Sequence, residues 1–131
     1  MRIVHAPSSV EVRGSSEPLS PEQLVQRIIE LGQEKKAHNI VALDIRRLST
    51  LADYFVIMSG ASDYQVRAIA GSLRETLRKE RVRTVGSEGT VAGHWIVLDY
   101  GDVIVHIFHD ETRAFYDLEG LWGDAPHVFA E

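Results

Sequence analysis

Trp95-Ile96-Val97-Leu98-Asp99-Tyr100-Gly101-Asp102-Val103-Ile104-Val105-His106-Ile107-Phe108 is the stretch that decides the fold. Two runs rich in β-branched and aromatic residues flank a Tyr-Gly turn. Glycine at the second central position suits a two-residue hairpin, so the stretch reads as two antiparallel strands. Pairing Asp99 with Asp102 sets Val97 opposite Ile104 and Trp95 opposite His106. Side chains alternate along a strand. One face therefore carries Ile96, Leu98, Val103, Val105 and Ile107, all aliphatic, and is expected to pack under helices. The other carries Trp95, Val97, Asp99, Asp102, Ile104, His106 and Phe108. An aromatic and histidine face with carboxylates at one end is unusual for plain core, and a second chain is a candidate to cover it.

Working outward, Ser20-Pro21-Glu22-Gln23 has the signature of a helix start: an N-cap serine, proline at the first helical position and glutamine three residues after the serine. Leu24, Ile28 and Leu31, with Val25 and Ile29, form one apolar face of a helix ending near Lys35 to His38. Ile40–Asp44 reads as a buried strand. Tyr54–Met58 is a second, too apolar on both faces for an exposed edge. Ser59-Gly60-Ala61 turns, and Ser62 with Gln65 is expected to form a second capping box at the start of another helix. Its buried face is Val66, Ile69, Ala70, Leu73 and Leu77, and it stops near Glu80 or Arg81. Val82–Val85 is expected as a short strand, 86–93 as a glycine-rich loop, and Glu111–Trp122 as a short helix or two turns. The order α-β-β-α-β-β-β-α predicts an α/β (α+β) fold, a mixed β-sheet with flanking helices. Residues 1–19 show no sustained period and read as a flexible tail, leaving 20–131 as a single domain.

Length and composition agree. The chain has 131 residues, the size of one domain, and can bury a core without staples. It has no cysteine, which removes disulfides and thiolate chemistry. No apolar run approaches the roughly 20 residues needed to span a bilayer, so no membrane role is expected and the cytoplasm is the default location. The net charge of −5 argues against a protein that coats nucleic acid. Charge is uneven, however: Arg67 to Arg83 holds six cations against two glutamates, and Asp99 to Glu131 holds eight carboxylates against one arginine. An acidic C-terminal third can steer a basic partner.

No constellation carries chemistry. His94, His106 and His109 are close in sequence, but His106 and His109 point to opposite faces of a straight strand, so no metal site is expected. The strand–Ser-Gly-Ala-Ser–helix turn at 59–62 is of the kind that binds anions, and nucleotidyltransferases use such a turn. Their chemistry also needs two carboxylates one residue apart on a neighbouring strand. Asp44 stands alone, Asp99 and Asp102 straddle a turn, and Asp117 and Glu119 diverge on a helix. No catalytic residue and no cofactor are therefore expected, with a nucleotide-binding or nucleotidyl-transferring enzyme as the remote alternative. What remains is aromatic side chains beside acidic ones. Trp95, Tyr100, Tyr116 and Trp122 are the candidates for an interface, because Trp and Tyr are enriched where binding energy concentrates.

Three separated stretches resemble the ribosomal silencing factor family, also called Iojap-like. They are Leu51-Ala-Asp-Tyr-Phe-Val-Ile-Met-Ser-Gly-Ala-Ser-Asp-Tyr-Gln-Val-Arg67, Glu88-Gly89 followed by Trp95 to His106, and Arg113-Ala-Phe-Tyr-Asp-Leu-Glu119 with Leu121-Trp122. The likeness runs from about Ser20 to Val128. It implies a nucleotidyltransferase-like fold lacking the catalytic carboxylates. It also implies a protein that binds the large ribosomal subunit at its fourteenth ribosomal protein, blocks joining of the small subunit and represses translation when nutrients run short. Relatives in organelles imply an alternative role in large-subunit assembly, and members commonly form homodimers. The family's partner-contacting tryptophan falls on Trp95, with Leu98, Asp99 and Tyr100 near the same surface. His106, Tyr116 and Trp122 follow from motif membership and the hairpin geometry. On the charge distribution, rather than the resemblance, the basic helix end, Arg74, Arg78, Lys79, Arg81 and Arg83, is expected to meet the rRNA backbone.

Overall fold

The computed structural model describes residues 18–89 and 94–131. The tail expected over 1–19 and the loop expected over 86–93 therefore fall partly outside the described residues. The elements are α1 (Pro21–Glu34), β1 (His38–Asp44), β2 (Tyr54–Gly60), α2 (Asp63–Lys79), β3 (Gly86–Gly89), β4 (Trp95–Asp99), β5 (Val103–His109), α3 (Asp110–Tyr116), α4 (Leu118–Leu121) and β6 (His127–Ala130). They form one six-stranded sheet in the order β3-β4-β5-β2-β1-β6. The β2–β5 pair is parallel and the other neighbours are antiparallel, so the sheet is mixed as expected. The parallel pair lies at the centre. That is why β2 is buried throughout and reads as one continuous apolar run.

Both long helices start at the expected serines, but only the first closes a capping box, since Gln65 Oε1 accepts from Ala61 N–H instead of Ser62 N–H. Ser20 Oγ accepts from Gln23 N–H at 3.1 Å while Gln23 Oε1 accepts from Ser20 N–H at 2.9 Å. Ser62 Oγ accepts from Gln65 N–H at 3.0 Å. Both helices also end alike, on a cation in the left-handed region: Lys36 at φ 65° and Arg81 at φ 71°. After α1, Ala37 N–H reaches Gly32 O and Lys36 N–H reaches Gln33 O; after α2, Val82 N–H reaches Leu77 O and Arg81 N–H reaches Arg78 O. These are paired 6→1 and 5→2 closures that satisfy carbonyls the helix would leave open. Leu24, Val25, Ile28, Val66, Ile69, Leu73 and Leu77 pack on Leu98, Val103, Val105 and Ile107, so the aliphatic hairpin face lies under the helices.

Three local readings change. Val82–Val85 is not a strand, because Val82 closes the end of α2 and packs against the core instead. The strand is Gly86–Gly89, in the segment expected to be loop. It borders β4 closely: a Cβ on Gly89 would meet Ile96 Cγ1 at 3.0 Å, so glycine permits the approach. The hairpin pairs Asp99 with Ile104, Val97 with His106 and Trp95 with Phe108, two residues away from the expected register. Asp99 Oδ1 accepts from Gly101 N–H at 2.8 Å, and Gly101 sits at φ 88°. That side-chain turn lengthens the loop. A shift of two leaves every side chain on its expected face, whereas a shift of one would have exchanged the faces. Finally, the chain ends in an unanticipated edge strand, β6, paired with β1.

Candidate docking surface

The second face of the sheet has no long helix over it. Val41, Leu43, Phe55, Ile57, Ile104 and Phe108 are covered instead by the segment 110–125, through Leu118, Trp122 and Ala125. Asp117 breaks that segment. At φ 48° it ends α3, and its side chain accepts from Gly120 N–H to start α4. The break makes two short pieces of what reads in sequence as a short helix or two turns.

Arg113 fastens the segment down. Its side chain is buried, and its guanidinium donates to Ser59 Oγ at 2.7 Å, to the Asn39 carbonyl and to both Glu119 oxygens at 3.0 and 2.7 Å. Hydrogen bonding from Arg113 holds the Glu119 carboxyl below its ordinary range. The accepting Asn39 carbonyl is turned by a left-handed residue, φ 53°, at an irregularity in the β1–β2 register.

Against this anchored segment lies an aromatic cluster. The Trp95 ring stacks on Phe108 with centroids 4.7 Å apart and meets Tyr116 at 4.9 Å. Phe55 meets His106 edge-on at 4.8 Å and Trp122 at 5.2 Å. The Trp95 indole N–H donates to His106 Nδ1 at 3.2 Å. An indole nitrogen can only donate, so His106 accepts and, as a neutral ring, carries its proton on Nε2. Nε2 is buried without a partner among the described residues. Burial pushes the His106 pKa down to about 4, so the ring is neutral near pH 7 and holds the indole in place. At the rim the cluster turns outward: Tyr116 is 54% exposed, Phe115 81% and Leu121 77%. Exposed large apolar side chains grouped beside half-buried tryptophans are the composition of a recognition surface.

The structure thus brings together Trp95, His106, Tyr116 and Trp122. Asp99 lies on the same face, half-buried, with one oxygen committed to Gly101. Leu98 and Tyr100 do not belong there. Leu98 is 0% exposed and Tyr100 9%, and both pack in the core on the helix side, so a contact role for them on this surface does not fit. The hairpin alternation already put Leu98 on that side. Tyr100 follows from the longer turn, which folds its ring inward. Phe115 and Leu121 are additions that the sequence reading did not single out.

The other candidates have structural duties. His94 Nε2 pairs with Asp63 at 3.2 Å, and His109 Nδ1 accepts from Glu111 N–H at the start of α3. Among the described residues no three His, Asp or Glu side chains gather as metal ligands. At the anion turn, Gln65 Oε1 takes the Ala61 N–H at 2.6 Å and Ser62 Oγ takes the Gln65 N–H. These bonds occupy the Ala61 and Gln65 N–H groups, and Asp63 in the first turn of α2 places a carboxylate where a phosphate would sit. Asp44 is bound to Arg46 at 2.7 Å. Among the described residues no helix is long and apolar enough to cross a membrane.

Comparison with known proteins fits this geometry. Residues 18–131 match the family described as "Ribosomal silencing factor during starvation". The ribosomal silencing factor RsfS of Halalkalibacterium halodurans is 41% identical over 113 residues, covering 86% of this chain and 97% of that protein. A crystal structure from Chromobacterium violaceum superposes with a TM-score of 0.77 at 35% identity, covering 80% of this chain and 88% of that one. More distantly, the mouse protein named "Mitochondrial assembly of ribosomal large subunit protein 1" is 30% identical over 101 residues, covering 75% of this chain and 44% of that protein. The family match over residues 18–131, with the shared fold, places the chain in the ribosomal silencing factor family.

Proposed function

We propose that the chain binds the large ribosomal subunit at its fourteenth ribosomal protein through the aromatic surface centred on Trp95. Occupying that site blocks the small subunit from joining and lowers translation when nutrients run short. The observation that carries this reading is the surface itself: Trp95 held by His106, with Tyr116, Phe115 and Leu121 exposed around it. The acidic C-terminal third beside it suits a basic ribosomal protein and would speed encounter. The action is steric, without catalysis or cofactor. At the turn over 59–62 the Ala61 N–H is taken by the Gln65 side chain, and Asp44 and Glu119 are bound to arginines. In this reading the protein works in the cytoplasm and is a homodimer when free of the ribosome.

A second reading, an assembly factor for the large subunit, is favoured by the likeness to the mouse protein named for that role. It uses the same contact at a different time. Sedimentation of the purified protein with separated subunits tests the first reading: the protein travels with the large subunit and lowers the yield of joined particles. Binding to the large subunit with undiminished joining would leave the assembly reading; migration free of both subunits at micromolar concentration would contradict both.

A further inference from the structure

The helix layer carries a second surface of different chemistry. Val66, Ile69, Ala70, Leu73 and Leu77 face the sheet, so Gly71, Arg74, Glu75 and Arg78 line the outer side of α2. With Val82, Arg83 and Thr84 from the chain that follows, they form an open groove of about 410 Å³. At Gly71 the floor is empty: a Cβ there would meet nothing within 4 Å. Arg78 is held at 3.0 Å by Glu75, which also lies 3.7 Å from Lys79. Arg74, Arg81 and Arg83 make no ion pair among the described residues. The Arg81 backbone bends left-handed between helix and loop, so the cations of α2 and of the following segment border one groove. Burial pushes the Tyr100 pKa up to about 12, against a smaller opposing pull from Arg74, and its buried hydroxyl has no partner among the described residues.

We infer that this groove binds the sugar-phosphate backbone of an RNA strand. Guanidinium forks match phosphate oxygens in pairs. A row of them along a helix and the following loop fits successive phosphates, where a single small anion would leave most of the row unmatched. The choice of RNA over an acidic peptide rests on the reading above, in which the partner is the ribosome. The groove lies on the helix side, away from Trp95, so the two contacts are separable.

Fluorescence anisotropy with a labelled RNA hairpin, free of ribosomal protein, tests this across a salt series. The chain binds at low salt, and Arg74→Glu with Arg83→Glu weakens binding about tenfold or more and lowers the salt slope by about two. Both side chains are exposed, so the variant's helical dichroism stays that of the parent. Trp95→Ala keeps its RNA affinity while losing the ribosomal-protein contact, which separates failure of this inference from failure of the proposed function. No RNA binding at low salt, or binding untouched by the charge reversal, would overturn the inference. Displacement by inorganic phosphate would instead mark a single-anion site, and displacement by polyglutamate at equal charge a peptide site. Either result would overturn the choice of RNA.

Discussion

On one side of the sheet, two helices of 14 and 17 residues lay aliphatic side chains over aliphatic strands, and most of what they cover is fully buried. On the other side, aromatic residues and a histidine are covered by two short helical pieces and the turn after them, which leave Phe115, Tyr116 and Leu121 in solvent. The strands are the same; alternation along β4 and β5 supplies both faces. The difference is in who completes the burial. The helix side is closed by the chain itself and supplies stability, and in our reading the aromatic side is left for a partner.

The sharpest way to break this comparison is to cut one side chain from each face. Leu73→Ala removes a fully buried side chain and is expected to cost about 3 kcal/mol, read by urea unfolding. Leu121→Ala, on the exposed rim, should stay within about 0.5 kcal/mol. Equal losses would mean the rim is packed as core. Nearly as large is Arg113→Ala, which strands Ser59, the Asn39 carbonyl and Glu119 together. We expect about 3 kcal/mol of lost stability, with faster hydrogen exchange across 110–125 than elsewhere. Uniform exchange would show that Arg113 does not anchor that segment.

His106 sharpens the comparison through pH. Its folded pKa is about 4 against 6.5 for the free side chain, because burial disfavours the charged ring. Below pH 6.5 the unfolded chain therefore takes up the proton first. The stability tied to the neutral ring is complete above 6.5 and is lost as pH falls toward 4, by roughly 2–3 kcal/mol. Comparing the parent with His106→Phe by denaturant unfolding between pH 7 and 4 checks this: the parent's slope in that window is steeper. Parallel slopes would mean His106 is hydrated in the fold.

What was legible in the sequence follows the same division. Periodicity exposes residues that bury one face, so α1, α2, β2 and the two hairpin faces could be read. The hairpin register could not, because Asp99 competes for the turn with its own side chain, and only the folded loop shows Tyr100 turned inward. β3 was hidden because Gly-Ser-Glu-Gly has no strand preference; it pairs because β4 offers an open edge. β6 is four residues long and owes its strand to β1. Of the surface, Trp95, His106, Tyr116 and Trp122 were visible from the motifs and the alternation. Arg113 had no local signal as an anchor, because Ser59 and Asn39 lie 54 and 74 positions away. Phe115 and Leu121 lie on either side of the break at Asp117, which periodicity does not reveal.

The most direct test of the central claim is the affinity of Trp95→Ala for isolated large subunits, with unfolding curves beside it. The Trp95 side chain is half-buried, with its indole N–H donating to His106 and its ring against Phe108 and Tyr116. Our account predicts a loss of about 2 kcal/mol in binding, roughly thirtyfold, with the cooperative fold retained. An affinity equal to the parent's, in a folded variant, would contradict the placement of the docking surface on this face.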